Sequence, residues 1–455
     1  MGDADLSRLS TQLEGELVTP GDAGWDAARQ AWNLAVDQHP AAVAVVTSPD
    51  DIAAAVRFAA EHGLGIATQG TGHGASALES LDDVLLMKTE HMNQVEVDPD
   101  AQRARVGAGV IMRDLVDAAQ AHGLSGFPGS SPDVGVVGYT LGGGLGWLGR
   151  RFGLACGHVR AIELVTADGE LRRVDAETDP DLFWALRGGG GNFGVVTAME
   201  TTLLPIAEVY AGSLILPAEN GREIFHCYRE WAEAVPEEVT SIARFLRLPP
   251  LDEIPEPLRD RPLVTLGACY AGDDGKGAEL VAPLRELGEP VMDLFATMPA
   301  AQLVTIHMDP EQPVPGLTNH ALMRELPEEA VDAFVDAAGP ESGSPLLLAE
   351  LRQAGAALAP GSDSAALPGL DAGFVLNAVG VAMEPGQAAA INTHLDAVCD
   401  AVAPWATGGR YLNFADRRAD LDVLYPADTR RRLSAVKERW DPEGLFRANY
   451  TLPAV

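Results

Sequence analysis

A glycine-dense loop that follows a short apolar strand constrains this chain more than any other feature. The stretch 66–76 reads Ile-Ala-Thr-Gln-Gly-Thr-Gly-His-Gly-Ala-Ser, so that His73 lies among three glycines. Because glycine has no Cβ, its backbone reaches positive φ and lets a ligand approach closely. Successive N–H groups in such a turn also form a concavity that binds anions. We expect His73 to lie against whatever the loop holds; the alternative is a surface turn with a solvated histidine.

Two further glycine-dense passages, 126–146 and 188–194, raise the question of a dinucleotide fold. The pattern G-x-G-x-x-G occurs at 144–149 and at 189–194. A Rossmann site needs this pattern between a strand and a helix. The second match leads into a strand, and the first lies in a longer glycine run with no βαβ unit around it. We therefore favour one large ligand that touches all three passages, with its phosphates bound by backbone N–H groups.

The length of 455 residues predicts two domains. Up to residue 205 short strands alternate with helices in a pattern rich in βαβ units, and from 206 to 405 longer strands alternate with amphipathic helices. The second pattern is typical of an antiparallel sheet with helices on one face. We predict strands at 42–46, 66–68, 84–87, 95–97, 103–109, 159–166, 171–174, 195–204, 209–216, 239–248, 263–270, 291–298, 345–352 and 374–382. We predict helices at 49–62, 112–122, 179–186, 220–234, 387–402 and 429–440.

Charge and cysteine content narrow the possible partners. With 66 acidic and 32 basic residues the formal charge is −34, which argues against nucleic acid and anionic membranes as partners. An acidic substrate is also disfavoured unless a local arginine cluster offsets this field. The four cysteines are far apart and form no C-x-x-C, so neither a zinc site nor a disulfide framework is indicated. No signal peptide or membrane span is recognisable, and we expect a cytoplasmic protein without a metal.

Several passages together resemble the berberine bridge enzyme-like group of the vanillyl-alcohol oxidase/p-cresol methylhydroxylase (PCMH) flavoproteins, over nearly the whole chain. The segment 69–73 resembles R-[SG]-G-G-H, 131–135 resembles C-P-x-V-G, and 142–154 resembles G-G-G-x-G-x-x-x-R-x-[YF]-G-L. The run 181–196 is the most specific match. Segments 411–414 and 440–446 match the signatures near the C-terminus of the group.

This resemblance implies an α+β fold with FAD as the cofactor. A two-part PCMH-type FAD domain, formed by residues 1–205 and the tail 406–455, would enclose a substrate domain, 206–405, whose antiparallel sheet covers the flavin. It also implies which residues contact FAD. They are Gln69, Gly70, Thr71, Gly72, His73, Gly74, Ser130, Ser131, Val134, Gly135, Gly138, Tyr139, Gly142, Gly143, Gly191, Asn192, Gly194, Val195, Val196, Tyr411 and Asn413.

Two positions bear on how the flavin is attached. In the group, the histidine at the position of His73 is bonded to the 8α-methyl of FAD, so the resemblance implies the same bond here. Ser131 stands where many members have a second linking cysteine, and serine cannot form that thioether. We expect a single linkage through His73; the alternative is a histidine hydrogen-bonded beside noncovalent FAD. Gln69 replaces the usual arginine of the loop, which removes a charge near the cofactor.

Two other positions bear on the reactivity of the flavin. Val134 matches the oxygen gate of the group, where valine leaves room for O₂ and a bulkier leucine favours dehydrogenases. Tyr139 stands where relatives often carry a histidine near the flavin N1/C2 carbonyl. Its hydroxyl could donate to the reduced flavin, or its ring could simply pack against the sheet.

A catalytic base must lie within hydrogen-bond reach of the substrate. Tyr411 is the first candidate, and because a free phenol has a pKa near 10, we expect Arg410 or Arg352 beside its hydroxyl. Phe414 replaces a tyrosine that is common in the group and that could itself carry the catalytic hydroxyl. Glu350 and Arg352 share one side of a predicted strand and are reserve candidates, although we expect them to form a surface ion pair.

The resemblance therefore implies an FAD-dependent oxidase that takes hydride from a carbon bearing a hydroxyl or amine, with O₂ as acceptor and H₂O₂ as product. One alternative is a dehydrogenase of the same fold that uses another acceptor. Another is a flavin-loaded binding protein without turnover. The segment 365–370, Ala-Ala-Leu-Pro-Gly-Leu, is apolar where relatives often have an aromatic-His-Arg sequence. It predicts an apolar, uncharged substrate pocket.

Overall fold

The structure is a computed structural model that describes residues 3–252, 254–272, 275–361 and 365–453. The first part of the chain contains nine strands: β1 Glu16–Val18, β2 Ala42–Val45, β3 Gly65–Gln69, β4 Val84–Lys88, β5 Val95–Asp98, β6 Arg103–Gly107, β7 Val159–Val165, β8 Leu171–Val174 and β9 Val195–Thr202. Its helices are α1 Asp3–Ser10, α2 Trp25–Ala28, α3 Pro49–His62, α4 Met112–Gln120, α5 Val136–Leu141, α6 Gly149–Phe152 and α7 Pro180–Leu186.

The middle part contributes eight further strands: β10 Glu208–Pro217, β11 Val239–Arg247, β12 Pro262–Tyr270, β13 Met292–Asp293, β14 Ala296–Pro299, β15 Gly316–Met323, β16 Leu348–Gln353 and β17 Phe374–Val381. The helices that follow α7 are α8 Gly221–Ala234, α9 Gly277–Arg285, α10 Glu328–Ala338, α11 Gln387–Ala401, α12 Leu421–Leu424 and α13 Ala427–Trp440. This mixture of sheets and helices confirms the α+β class. In these described ranges no helix is long and apolar enough to cross a membrane.

The glycine loop that contains His73 follows β3 of the first sheet directly. Strands β2 and β3 both pair in parallel with β4, and helix α3 connects β2 to β3. The sequence sets both ends of α3, because the Ser48 hydroxyl accepts the Asp51 N–H and Gly63, with φ of 67°, ends the helix in the left-handed region. The predicted βαβ unit is therefore confirmed for β2–α3–β3.

The second sheet has the order β5-β6-β9-β7-β8, and all its neighbours are antiparallel. The βαβ prediction is wrong for β5 and β6, because the short link between them allows only antiparallel pairing. The strands predicted at 159–166, 171–174 and 195–204 are confirmed by β7, β8 and β9, and β7 and β8 form an antiparallel hairpin. Strand β9 begins directly after Gly194 and therefore places the 188–194 passage at the edge of the cavity described below.

An eight-stranded antiparallel sheet forms the middle part, with the order β13-β10-β12-β11-β16-β17-β15 and with β14 also pairing with β10. Helices α8, α9, α10 and α11 contribute to the apolar core beside this sheet. The single strand predicted at 291–298 is wrong, since β13 and β14 are separate. The two residues between them, Leu294 and Phe295, stay beside β10, since the Leu294 N–H donates to the Ser213 carbonyl and a Cβ at Gly212 would lie 2.4 Å from the Leu294 carbonyl oxygen.

The tail returns to the first sheet and is fixed there by main-chain hydrogen bonds. The Ile66 N–H donates to Leu445, and the Arg447 N–H donates back to Ile66. The prediction of a helix at 429–440 is confirmed by α13. The division into 1–205, 206–405 and 406–455 stays a prediction, which the separate strand ladders support.

Candidate functional site

A cavity of about 470 Å³ lies where the three glycine passages, the tail and the large sheet meet. The loop after β3, the segment leading into α5 and the loop before β9 line one side, and segments around 307–318, β16 and β17 line the other. The passages that the sequence analysis assigned to one ligand thus border one space.

Most of the expected cofactor-contacting residues line this cavity. They are Gln69, Gly70, Thr71, Gly72, His73, Gly74, Ser130, Ser131, Val134, Gly135, Gly138, Tyr139, Gly142, Gly191, Asn192, Gly194, Val196, Tyr411 and Asn413. Two others do not line it, which corrects the expectation. Val195 is fully buried in the core beside the first sheet. Gly143 faces protein, because a Cβ there would lie 2.8 Å from Leu367 and 3.1 Å from the ring of Tyr411.

The glycines of the cavity wall test whether a large cofactor fits. At Gly135, Gly138 and Gly191 an added Cβ would meet no protein atom within 4 Å, so these backbones border open space that a ligand can approach. At Gly72, with φ of 93°, a Cβ would lie 2.9 Å from Ala31, so glycine is required to form the loop. Together these features fit a dinucleotide that is held by backbone groups.

His73 supplies a second test of fit. Its Nδ1 lies 2.8 Å from the Thr71 hydroxyl, and its ring stacks on Trp32 with centroids 4.1 Å apart. Its Nε2 is buried and has no hydrogen-bond partner in the described part of the chain. A buried polar atom without a partner is costly, so a ligand that engages this ring would remove the cost.

Asp133 is the charged neighbour of His73. One carboxylate oxygen lies 3.4 Å from His73 Nε2 and accepts the Ser131 hydroxyl at 2.7 Å. The other accepts Trp32 Nε1 at 2.5 Å. Burial alone would raise the pKa of Asp133, but the contacts with His73, Ser131 and Trp32 outweigh burial and lower this pKa. The carboxylate is therefore fixed in its ionised form against the histidine ring.

Tyr139 and Val134 lie on the same wall. The Tyr139 hydroxyl oxygen is buried without a hydrogen-bond partner in the described residues, and burial raises its pKa well above the usual value. The hydroxyl is therefore neutral, and it lies beside Gly146, where an added Cβ would come within 2.8 Å of it. Val134 lines the cavity just before α5, and its main-chain carbonyl accepts the Met112 N–H.

Tyr411 lies in the tail with its side chain buried. Its hydroxyl oxygen is within hydrogen-bond distance of the N–H groups of Gly144 at 3.0 Å and Leu145 at 2.9 Å and of the Asn413 amide at 3.2 Å. Burial nevertheless raises the pKa of Tyr411 above its ordinary value. The expectation of a guanidinium at this hydroxyl is wrong, because Arg410 donates instead to the Asn319 side chain and the His320 carbonyl.

The opposite wall carries a buried charged group on β16. Glu350 is fully buried, and its two oxygens accept from Arg352 Nε at 2.6 Å, the Asn377 amide at 3.0 Å and His307 Nε2 at 2.8 Å. Burial would raise the pKa of Glu350, but Arg352, His307 and Arg244 together lower it. The expected surface ion pair is therefore wrong: the pair is buried because it lies in the centre of the large sheet.

The expectation of an uncharged pocket is also wrong. Arg352, His307, Asp309 and Asn377 all line the cavity. The apolar segment used for that expectation packs elsewhere: at Gly188, an added Cβ would lie 2.4 Å from Leu367. The polar wall comes instead from three separate parts of the chain, namely 307–309, β16 and β17. Only Glu350 and Arg352 of β16 can be recognised in the sequence, because they are charged residues within an apolar strand.

Sequence reasoning missed several residues that line the cavity. They are Trp32, Asn33, Thr68, His307, Asp309, Asn377, Asp416 and the segment 447–450. They lie outside recognisable motifs and reach the cavity through tertiary packing, so no local pattern marks them.

Comparisons with known proteins agree with this geometry. Residues 40–175 match the model of an FAD binding domain. The chain is 29% identical to (R)-6-hydroxynicotine oxidase of Paenarthrobacter nicotinovorans, over 98% of each protein. The structure of 6-hydroxy-D-nicotine oxidase from Arthrobacter nicotinovorans superposes with a TM-score of 0.83 at 26% identity, covering 97% of this chain and 98% of that one. BBE-like 1 of Physcomitrella patens superposes with a TM-score of 0.87 at 23% identity, covering 99% of both chains.

The fold, the cavity and these relatives define an FAD-dependent oxidoreductase. Within that class, the chain is similar over almost its whole length to (R)-6-hydroxynicotine oxidase, and its fold is similar to that of the BBE-like protein of Physcomitrella patens.

Proposed function

We propose that this protein is an oxidase of small-molecule alcohols or amines that carries FAD linked singly through His73. The observation that carries the proposal is the buried Nε2 of His73 at a glycine-lined cavity, which makes no hydrogen bond among the described residues and has a carboxylate oxygen of Asp133 3.4 Å away. When bound, FAD would supply the acceptor for the two electrons of the substrate, and O₂ would reoxidise it and leave as H₂O₂. The cytoplasm remains the predicted location.

Residues of the cavity wall would bind the cofactor and leave space for O₂. Backbone N–H groups of 70–74 and 189–194 would hold the cofactor, and Tyr139 would donate a hydrogen bond to it. Ser131 donates to Asp133, and as an alcohol it cannot supply a thioether. Val134 leaves space on its wall for O₂.

Tyr411 is the proposed base for an alcohol substrate. Three N–H groups surround its oxygen, and such donors stabilise a phenolate. Burial opposes ionisation, so these three donors would have to hold Tyr411 as the phenolate that accepts the substrate proton. Glu350 is not proposed for this role, because both of its oxygens already accept from Arg352, Asn377 and His307.

Anaerobic titration with a panel of alcohols and amines tests the proposal. We expect one class to bleach the visible absorption of the protein and air to restore it with stoichiometric H₂O₂. Val134→Leu should slow reoxidation by O₂ while reduction of an artificial acceptor continues. Equal losses with both acceptors would refute the gate, and bleaching without H₂O₂ formation would favour a dehydrogenase.

A further inference from the structure

Arg352 lies in the cavity wall opposite His73. Its two terminal nitrogens, Nη1 and Nη2, make no hydrogen bond to protein among the described residues. Its Nε donates to Glu350 at 2.6 Å, and its guanidinium lies 5.2 Å from the centre of the Phe414 ring. The side chain is 13% exposed, and it lines the cavity. The fork is therefore held by one nitrogen and one ring, with its two Nη groups available to a ligand.

Behind Arg352 lies a buried cluster of charged groups. Glu350 and Asp309 carry two negative charges, and Arg244 and Arg352 carry two positive ones. The ring of His307 lies between the two carboxylates, with Nδ1 2.5 Å from Asp309 and Nε2 2.8 Å from Glu350. The carboxylates are therefore engaged by His307 and Arg352, and the cluster leaves the Nη groups of Arg352 facing the cavity without an anion of their own.

Arg244 closes the cluster from the next strand. Its Nη2 donates to the main-chain carbonyl of His307 at 2.6 Å, and its Nη1 lies 3.0 Å from both ring nitrogens, which places the guanidinium against the ring. The side chain is almost fully buried. Among the described residues, no His, Cys, Asp and Glu grouping is arranged to hold a metal, so a metal does not account for these charges.

We propose that Arg352 binds a carboxylate of the substrate, so that the substrate of this oxidoreductase is a small organic acid that also carries the alcohol or amine to be oxidised. The inference rests on the proposed function for the identity of the reacting group. A planar guanidinium with two free nitrogens matches the two oxygens of a carboxylate.

Calorimetric titration of the purified flavoprotein tests the inference without turnover. Acetate, benzoate and phenylacetate, which carry no oxidisable alcohol or amine, are compared with their neutral amides. We expect at least one acid to bind at least ten-fold more tightly than its amide. Arg352→Met should remove that preference, Arg352→Lys should retain part of it, and Arg113→Gln should keep it. Arg113 is a matched control because it pairs with exposed Glu311 outside the cavity wall.

The outcome is decisive in either direction. If no acid binds better than its amide, or if the preference survives Arg352→Met, the inference is wrong. Should the preference be absent while neutral alcohols or amines still bleach the flavin and yield H₂O₂, only the substrate class fails and the oxidase stands. Should the acids bind as expected while no substrate bleaches the flavin, the carboxylate site stands and the oxidase proposal fails.

Discussion

At the scale of single residues, His73 is surrounded by groups that fix its ring before any cofactor is considered. Trp32 stacks on one face, Thr71 contacts Nδ1, and Asp133 lies next to Nε2. Asp133 occupies the variable position of the family pattern C-P-x-V-G, so its role could not be inferred from the motif. The pattern identified the histidine, and only the fold shows what orients it.

Asp133→Asn is expected to lower the fraction of flavin that stays bound after acid precipitation. The Asp133 carboxylate orients the His73 ring and can accept a proton from it, whereas the neutral amide of asparagine is a much weaker proton acceptor. The measurement is the ratio of protein-bound to released flavin, determined from visible absorption, as a function of incubation pH. Glu311→Gln, which removes an exposed carboxylate, is the control; an unchanged ratio in Asp133→Asn would show that the carboxylate is not needed.

Asp416 gives a prediction of pH dependence. Burial raises the pKa of this cavity residue to about 6, against the opposing hydrogen bond from Thr318 and the charge of His73. Since the folded pKa exceeds the unfolded one, the folded state binds more protons between about pH 4 and 6, and stability falls as pH rises through this window.

Asp416→Asn should therefore stabilise the protein at pH 7.5 by up to about 3 kcal/mol and change it little near pH 4. The measurement is the melting temperature of both proteins from pH 4 to 8, with Asp371→Asn as the exposed control. A stabilisation that is independent of pH would contradict the assignment.

Residue roles were predictable only where a motif carries them. The loop glycines and His73 follow from the need for a backbone without Cβ. The environment of Tyr411 could not be predicted in this way, because its partners Gly144 and Leu145 are 267 and 266 positions away in the sequence.

At the scale of elements, helix α13 fixes the tail through a buried ion pair. Lys437 and Asp441 are both fully buried, with Nζ 2.5 Å from the carboxylate. Lys437 also donates to the carbonyls of Asn192 and Phe446. The pair therefore joins the last helix to the third glycine passage and to the chain that follows.

Lys437→Met should destabilise the protein by about 3–5 kcal/mol, because it leaves Asp441 buried without its cation. Arg431→Met, in the same helix, removes the cation of a largely exposed pair with Asp428 and should cost less than about 1 kcal/mol. Denaturant unfolding monitored by tryptophan fluorescence measures both. Similar losses in the two variants would mean that the buried pair adds nothing beyond a surface contact.

Elements with clear periodicity were predictable, and those that bury polar residues were not. Helix α3 follows from Ser48, Pro49 and Gly63. Strand β15 was missed because Asn319 and His320 interrupt its apolar pattern. Both are buried, yet both have partners, since Asn319 bonds Asp396 and Arg410 and His320 accepts the Tyr411 N–H.

At the scale of the whole molecule, the cavity is formed only when distant parts of the chain come together. The three glycine passages and the tail supply one wall, and the large sheet supplies the charged wall that contains Arg352. The sequence predicted which segments contribute to a single ligand site. It did not predict the charge of the opposite wall, because Arg244, His307 and Glu350 meet through strand pairing and a long loop.

The visible spectrum of the purified protein before and after acid precipitation tests the central claim most directly. The account predicts a yellow protein whose precipitate keeps the flavin, and a His73→Ala variant whose flavin is released. Release of all flavin from the wild-type protein would contradict the linkage, and a protein that stays colourless after incubation with FAD would contradict the assignment of the cavity itself.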